Sequence, residues 1–101
     1  MGTRANVKIV DENETVWIYR HYDGYPSAVL PDLKGFVEEL KENNIVNAEE
    51  ASSYLLANDN YENTDQQHGD IEFLYTVNVK DRSVSSVSMF IDLDMDDELP
   101  L

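Results

Sequence analysis

The sequence contains no cysteine. A disulfide scaffold, a thiolate metal site and a cysteine nucleophile are therefore excluded. Short secreted domains usually depend on disulfides, so the absence of cysteine favours a reducing compartment. We therefore expect a cytoplasmic protein.

Long apolar runs are also missing. The N-terminal stretch MGTRANVKIV lacks the apolar segment of a signal peptide, and no stretch approaches the ~18 apolar residues of a membrane span. Hydrophobic residues nevertheless make up 42% of the 101 residues, which is typical of a globular protein. We expect one soluble domain over residues 1–93, followed by an acidic C-terminal tail over 94–101.

Basic residues are few. Seven Lys and Arg residues face 21 Asp and Glu residues, and the formal net charge is −14. The charge is −1 in residues 1–30, −5 in 31–60 and −8 in 61–101. Such a field repels nucleic acid and anionic membranes and attracts basic surfaces. We therefore expect no direct binding to nucleic acid or membranes, while solubility or halophilic adaptation alone would also account for the acidity.

Apolar and polar residues alternate in four segments, which predicts four strands. These segments are residues 5–10, 15–22, 71–79 and 84 to about 93. The polar residues between the first two strands predict a hairpin, and those at 81–83 predict a second turn. The strands therefore fall into two pairs at the two ends of the domain.

Helical periodicity occupies the middle of the chain. A first helix is predicted from Pro31, with Asp32 in its first turn and its end at Asn43-Asn44. Its apolar stripe is Leu33, Phe36, Val37 and Leu40.

A second helix follows directly. Asn47 and Glu50 match a capping box, and the helix is predicted to run to about Ala57. Residues 58–70 show no apolar periodicity and are predicted to form a loop. The resulting order, β-β-α-α-β-β, predicts an α+β fold with a four-stranded antiparallel sheet and both helices packed on one face.

The segment YRHYDGYP, residues 19–26, is the most distinctive motif. On a strand, His21 and Asp23 project to the same side and would form an imidazole–carboxylate pair, which can orient a general base or a metal ligand. The competing interpretation is a structural turn formed by His21, Asp23, Gly24, Tyr25 and Pro26. The nearby Ser27 lacks the surroundings of a nucleophile elbow, so we assign no catalytic residue.

The start TRANV and the segment YRHYDGYP resemble a family of small phage and prophage proteins. These proteins share a T-R-x-N start and an H-x-D-G-Y-P-like turn after an initial hairpin. The resemblance covers the first third of the chain. It implies a small accessory protein of phage or mobile-element type, acting in the cytoplasm of the host cell, and it carries over no catalytic residue.

Two further patterns resemble metal sites in part. Asp92, Asp94 and Asp96 imitate the first half of a calcium loop, but Asp97 stands where such a loop needs glycine. His68 is the only imidazole besides His21, and sequence alone does not place the two together. We therefore predict no metal and no cofactor.

The acidic residues supply the leading functional hypothesis. Carboxylates spaced along helices and strands present a field like that of DNA phosphates. The residues expected to bind a partner are Glu38, Glu39, Glu42, Glu49, Glu50, Asp92, Asp94, Asp96, Asp97 and Glu98. We expect a non-enzymatic inhibitor that mimics DNA and binds a basic surface of a host defence protein, such as a CRISPR effector.

Two alternatives remain open. The first is a small metal-dependent or hydrolytic enzyme centred on His21 and Asp23, with His68 as a further member. The second is a structural or regulatory homodimer that pairs through an open sheet face containing Trp17 or Val87.

Overall fold

The computed structural model describes residues 3–88, with Ser88 described by its backbone alone. The elements in this range are β1 (Ala5–Val10), β2 (Thr15–Arg20), α1 (Pro26–Glu42), α2 (Ala48–Leu56), β3 (Glu62–Thr64), β4 (Phe73–Asn78) and β5 (Ser83–Ser88). The predicted end of the last strand near Leu93 and the predicted acidic tail lie outside the described residues.

The strands form one mixed sheet in the order β3-β2-β1-β4-β5. Neighbouring strands are antiparallel except β1 and β4, which are parallel. The predicted α+β class is confirmed, whereas the prediction of four antiparallel strands is wrong in strand number and in the direction of the central pair. A parallel pair needs a connection of about a dozen residues or more, and the segment containing α1 and α2 provides the necessary length.

The additional strand, β3, lies in the segment that was predicted to be a loop. Glu62, Asn63 and Thr64 pair with Tyr19, Ile18 and Trp17 of β2. Glu62 and Asn63 are exposed, so this strand has no buried face. Alternation of apolar and polar residues marks only strands that bury one face, which is why the sequence pattern does not reveal β3.

One core contains residues of the sheet and of both helices. Val7 pairs with Ile18 on one side and with Tyr75 on the other, so these three residues lie on the same face of the sheet, and all are completely buried. The helices contribute Val29, Leu33, Phe36, Leu40, Ala48, Ala51 and Leu55.

Helix α1 begins five residues before the predicted start. Pro26 is at its first turn and Pro31 lies inside it. Proline there removes one helical hydrogen bond, while complete burial of Val29 favours the extra turn. As a result Asp32 is not in the first turn, which holds no acidic residue. The predicted end is confirmed, since Asn43 is the C-cap.

Helix α2 has two caps, of which the sequence pattern predicted one. The Asn47 side chain accepts a hydrogen bond from the Glu50 N–H at 2.7 Å, as expected. Asp11, in the β1–β2 turn, accepts a hydrogen bond from the Ala48 N–H at 2.6 Å. The Asp11 carboxylate also accepts from the N–H groups of Asn13 and Glu14. This one side chain therefore joins the hairpin turn to the start of α2.

The face of the sheet that points away from the two helices is covered at one end by the segment after β3. Asn6 is completely buried there; its Nδ2 donates to the Ile18 carbonyl at 2.8 Å, and its Oδ1 accepts from the His68 N–H at 2.7 Å. Farther along this face, the Lys8 ammonium lies 5.6 Å from the centre of a Trp17 ring. Val87 is 55% exposed, whereas Trp17 is partly covered.

The Asp11 contacts give a pH-dependent prediction. The N–H of Ala48, followed by that of Asn13, holds the pKa of Asp11 below its ordinary value. Because the folded-state pKa is lower than the unfolded one, Asp11 stabilises the fold above about pH 4, and this contribution is lost as pH falls through the folded-state pKa. We expect Asp11→Asn to have a lower free energy of unfolding than the unmodified chain at neutral pH. The difference between the two free energies should become smaller in acid.

Urea unfolding at steps from about pH 7 to pH 2.5 measures this difference. Asp59→Asn is the control, because Asp59 is exposed and makes no side-chain hydrogen bond or ion pair within residues 3–88. If the loss of unfolding free energy in Asp11→Asn stayed the same at every pH, the ionised Asp11 carboxylate would not be the group that stabilises the fold.

Candidate functional site

Five exposed carboxylates lie on the two helices, on either side of the connection formed by residues 43–47. All five are exposed, and none forms an ion pair within residues 3–88. The two helices carry only Lys34 and Lys41 as basic residues. These helical carboxylates are Glu38, Glu39, Glu42, Glu49 and Glu50.

The helix dipole accounts for only part of this group. Glu49 and Glu50 lie in the first turn of α2, where the positive end of the dipole stabilises a carboxylate. Glu39 and Glu42 lie in the last turn of α1, where the dipole disfavours negative charge, and Glu38 lies just before that turn, where the dipole gives it no stabilisation. Neither ion pairing nor the dipole therefore explains the three carboxylates of α1.

The second half of the predicted partner-binding group lies outside the described residues. Those positions are Asp92, Asp94, Asp96, Asp97 and Glu98.

The HYDGYP segment forms a turn whose backbone is fixed to the core. The Gly24 N–H donates to the Thr3 carbonyl at 2.8 Å, and the Tyr75 hydroxyl donates to the Gly24 carbonyl at 2.6 Å. Arg20 Nε donates to the Tyr22 carbonyl at 2.7 Å. Pro26 then begins α1, with Tyr25 as its N-cap residue. The turn thus connects β2, β4, α1 and the start of the chain.

His21 and Asp23 have different partners. His21 Nε2 lies 3.0 Å from a carboxylate oxygen of Glu62 on β3, and Asp23 accepts a hydrogen bond from the Tyr25 hydroxyl at 3.3 Å. Asp23 has a φ of 54°, so its backbone is in the left-handed region. His21 therefore forms its hydrogen bond with Glu62 of the edge strand β3 and not with Asp23, as was hypothesised for the motif.

The structure brings both imidazoles against Tyr19. The His68 ring stacks on Tyr19 with 4.0 Å between centroids, and the His21 ring meets Tyr19 edge-on at 4.6 Å. The Tyr19 hydroxyl donates to Asp70. No group of three or more His, Asp and Glu side chains within residues 3–88 has an arrangement that would hold a metal ion. The arrangement around Tyr19 joins the segment after β3 to the sheet.

The buried tyrosines do not supply a basic phenolate. Burial, followed by the Asp70 carboxylate, raises the pKa of Tyr19. Burial also raises the pKa of Tyr61, and it raises the pKa of Tyr75 to about 12. All three hydroxyls are therefore protonated at neutral pH and act as hydrogen-bond donors.

One buried polar network was not predicted. Arg20 is 5% exposed, and its Nη1 lies 3.0 Å from Asp32 Oδ2. The same oxygen accepts from the Tyr61 hydroxyl at 3.0 Å, and the Arg20 guanidinium lies 4.9 Å from the Tyr61 ring centre. The sequence contained one signal for it, because Arg20 shares the strand side of the buried Ile18.

Within residues 3–88, neither helix combines the length and apolarity needed to cross a bilayer. In the comparisons with known proteins, no family model, curated protein or solved structure matches this chain. The residues and the geometry of the chain itself are therefore the basis for assigning a function.

Proposed function

We propose that this chain is a non-catalytic acidic binding protein that mimics DNA. Its helical carboxylates dock on a basic surface that normally binds nucleic acid, such as that of a CRISPR effector. The observation that carries the proposal is the position of Glu38, Glu39 and Glu42. These side chains are exposed and form no ion pair within the described residues, and the helix dipole stabilises none of them.

The spacing of these carboxylates favours a combined effect on a partner. Glu38 and Glu42 are about 6 Å apart along the helix axis. This separation is shorter than the Debye length of about 8 Å at physiological salt, so their potentials add at the surface. Such a surface attracts arginine and lysine side chains and repels DNA, which carries charge of the same sign.

A competition experiment tests the proposal. A labelled DNA duplex is bound to a guide-loaded CRISPR effector, and separately to a panel of basic DNA-binding proteins. We expect the unmodified chain to displace the duplex from at least one of them at about 50 mM salt, and displacement to weaken steeply by about 200 mM. Fluorescence anisotropy of the duplex measures the released fraction.

Matched variants locate the surface. Glu38→Gln/Glu39→Gln/Glu42→Gln removes three negative charges from α1, and Glu14→Gln/Asp59→Asn/Asp65→Asn removes three from exposed positions elsewhere. We expect the helical variant to need about tenfold more protein for the same displacement, and the control to change much less. The proposal would be overturned if the unmodified chain displaced the duplex from none of the proteins at low salt. It would also be overturned if the helical variant and the control lost displacement activity equally.

A further inference from the structure

A groove of about 370 Å³ lies between the two helices, next to the helical carboxylates. Phe36 of α1 and Leu55 of α2 are buried at its base, and Tyr54 is half-buried beside them. Asp32, Gly35 and Glu39 of α1 also line it. The groove therefore combines an apolar base, an aromatic ring and two carboxylates.

Gly35 keeps this groove open. It lies in the middle of α1, where glycine is less favourable than alanine. Apart from its chain neighbours and the backbone of its own helix, a Cβ at this position would meet no atom of residues 3–88 within 4 Å, so packing inside the described part of the chain does not require glycine here. Because Gly35 lines the groove, a larger side chain at this position would take up part of its open space.

The two carboxylates stand at opposite ends of the groove. Asp32 and Glu39 are separated by two helical turns, about 10 Å along the axis. Asp32 Oδ2 binds Arg20 and Tyr61, while Oδ1 makes no hydrogen bond within residues 3–88. Glu39 is exposed and forms no ion pair in the same range. The buried Arg20 offsets part of the Asp32 charge, so the stronger negative end is at Glu39.

We propose that this groove receives an arginine side chain of the basic partner, an inference that rests on the proposed function. The apolar base matches the arginine methylene stem, and the planar guanidinium can stack on Tyr54 and donate two hydrogen bonds to the Glu39 carboxylate. A second copy of this chain is disfavoured as the occupant, because each copy has a net charge of −14. Charge complementarity selects a cationic side chain.

Titration with Nα-acetyl-arginine amide, followed by ¹⁵N NMR, tests the groove without the partner. We expect saturating shifts of the backbone amide signals of Gly35, Phe36, Glu39 and Leu55, with an affinity of about 1 mM to 10 mM. The matching citrulline amide has nearly the same shape without the charge and should give no saturating shifts. Equal shifts with both compounds, or shifts confined to other parts of the chain, would overturn the inference.

Variants at position 35 provide matched controls. Gly35→Met fills the groove and should abolish the shifts, whereas Gly35→Ala leaves most of the space open and should retain them. Glu39→Gln keeps the size of the side chain and should weaken binding about tenfold. Unchanged arginine binding by both Gly35→Met and Glu39→Gln would contradict the assignment.

The duplex competition separates the two proposals. If Gly35→Met displaces the duplex as well as the unmodified chain does, while the triple glutamine variant is weakened, the groove inference fails and the proposed function stands. If the unmodified chain binds the arginine amide in the groove but displaces no duplex, the proposed function fails and the groove remains a site for a cationic side chain.

Discussion

Arg20→Met is expected to lower the free energy of unfolding by about 3 kcal/mol, or more than a hundredfold in the folding equilibrium. The substitution keeps much of the apolar stem of a side chain that is 5% exposed. It removes the ion pair with Asp32, the hydrogen bond to the Tyr22 carbonyl and the contact of the guanidinium with the Tyr61 ring. Asp32 would lose its cationic partner, and the Tyr22 carbonyl would lose the Nε donor. Because the Asp32 side chain is 33% exposed, we expect the lower end of the range for broken buried pairs.

Arg4→Met is the matched control for this variant. Arg4 also faces an aspartate, with 3.5 Å between its Nε and Asp70 Oδ2, but these side chains are 46% and 48% exposed. An exposed pair of this kind contributes about 0 to 1 kcal/mol. Chemical denaturation of both variants measures the difference, and equal losses of stability would show that burial of Arg20 is not what makes it important.

Gly24→Ala should have the second largest effect, with a loss of about 2 to 3 kcal/mol in the free energy of unfolding. An added Cβ would lie 2.8 Å from Ala5 Cβ and 2.8 Å from the Thr3 carbonyl oxygen. It would also lie 3.1 Å from the Ala5 backbone nitrogen. Backbone atoms beside a buried strand cannot yield without disturbing the Gly24 N–H bond to Thr3 and the Tyr75 bond to the Gly24 carbonyl.

The same change at Gly35 is expected to act in the opposite direction. The alanine Cβ would meet no described atom within 4 Å outside its chain neighbours and its own helix backbone, so it should stabilise α1 by about 0.5 to 1 kcal/mol. Thermal and urea unfolding of the two variants, made and measured together, test both signs. A Gly24→Ala variant within about 0.5 kcal/mol of the unmodified chain would contradict the close approach of the turn to β1.

The elements that bury one face could be predicted from the sequence, and the others could not. Alternation identified β1 and the buried part of β4, and the side chain of Asn47 identified the start of α2. β3 was missed because its Glu62 and Asn63 are exposed. The parallel pairing of β1 with β4 was missed because alternation shows which residues are buried but not which strands become neighbours.

The candidate site was predictable to a similar extent. Helical spacing was enough to expect that Glu38, Glu39 and Glu42 face solvent, because Leu40 and the other apolar residues of α1 occupy the opposite stripe. That these residues form no ion pair within residues 3–88 depends on where the lysine side chains point. The groove depends on how α1 packs against α2 and on the earlier start of α1, which moves Asp32 out of the first turn. The packing of α1 against α2 and the earlier start of α1 cannot be predicted from the spacing of apolar residues.

The central position of β1 also affects how the protein folds. This strand pairs with β2 through a short hairpin, but its other neighbour starts at Phe73, 68 residues after Ala5. Contacts between residues so far apart in the chain raise the contact order and slow folding relative to a helical bundle of the same size. Until β4 arrives, the inner edge of β1 has unsatisfied hydrogen-bonding groups, and this edge is where an incompletely folded chain would be most prone to pair with the wrong strand.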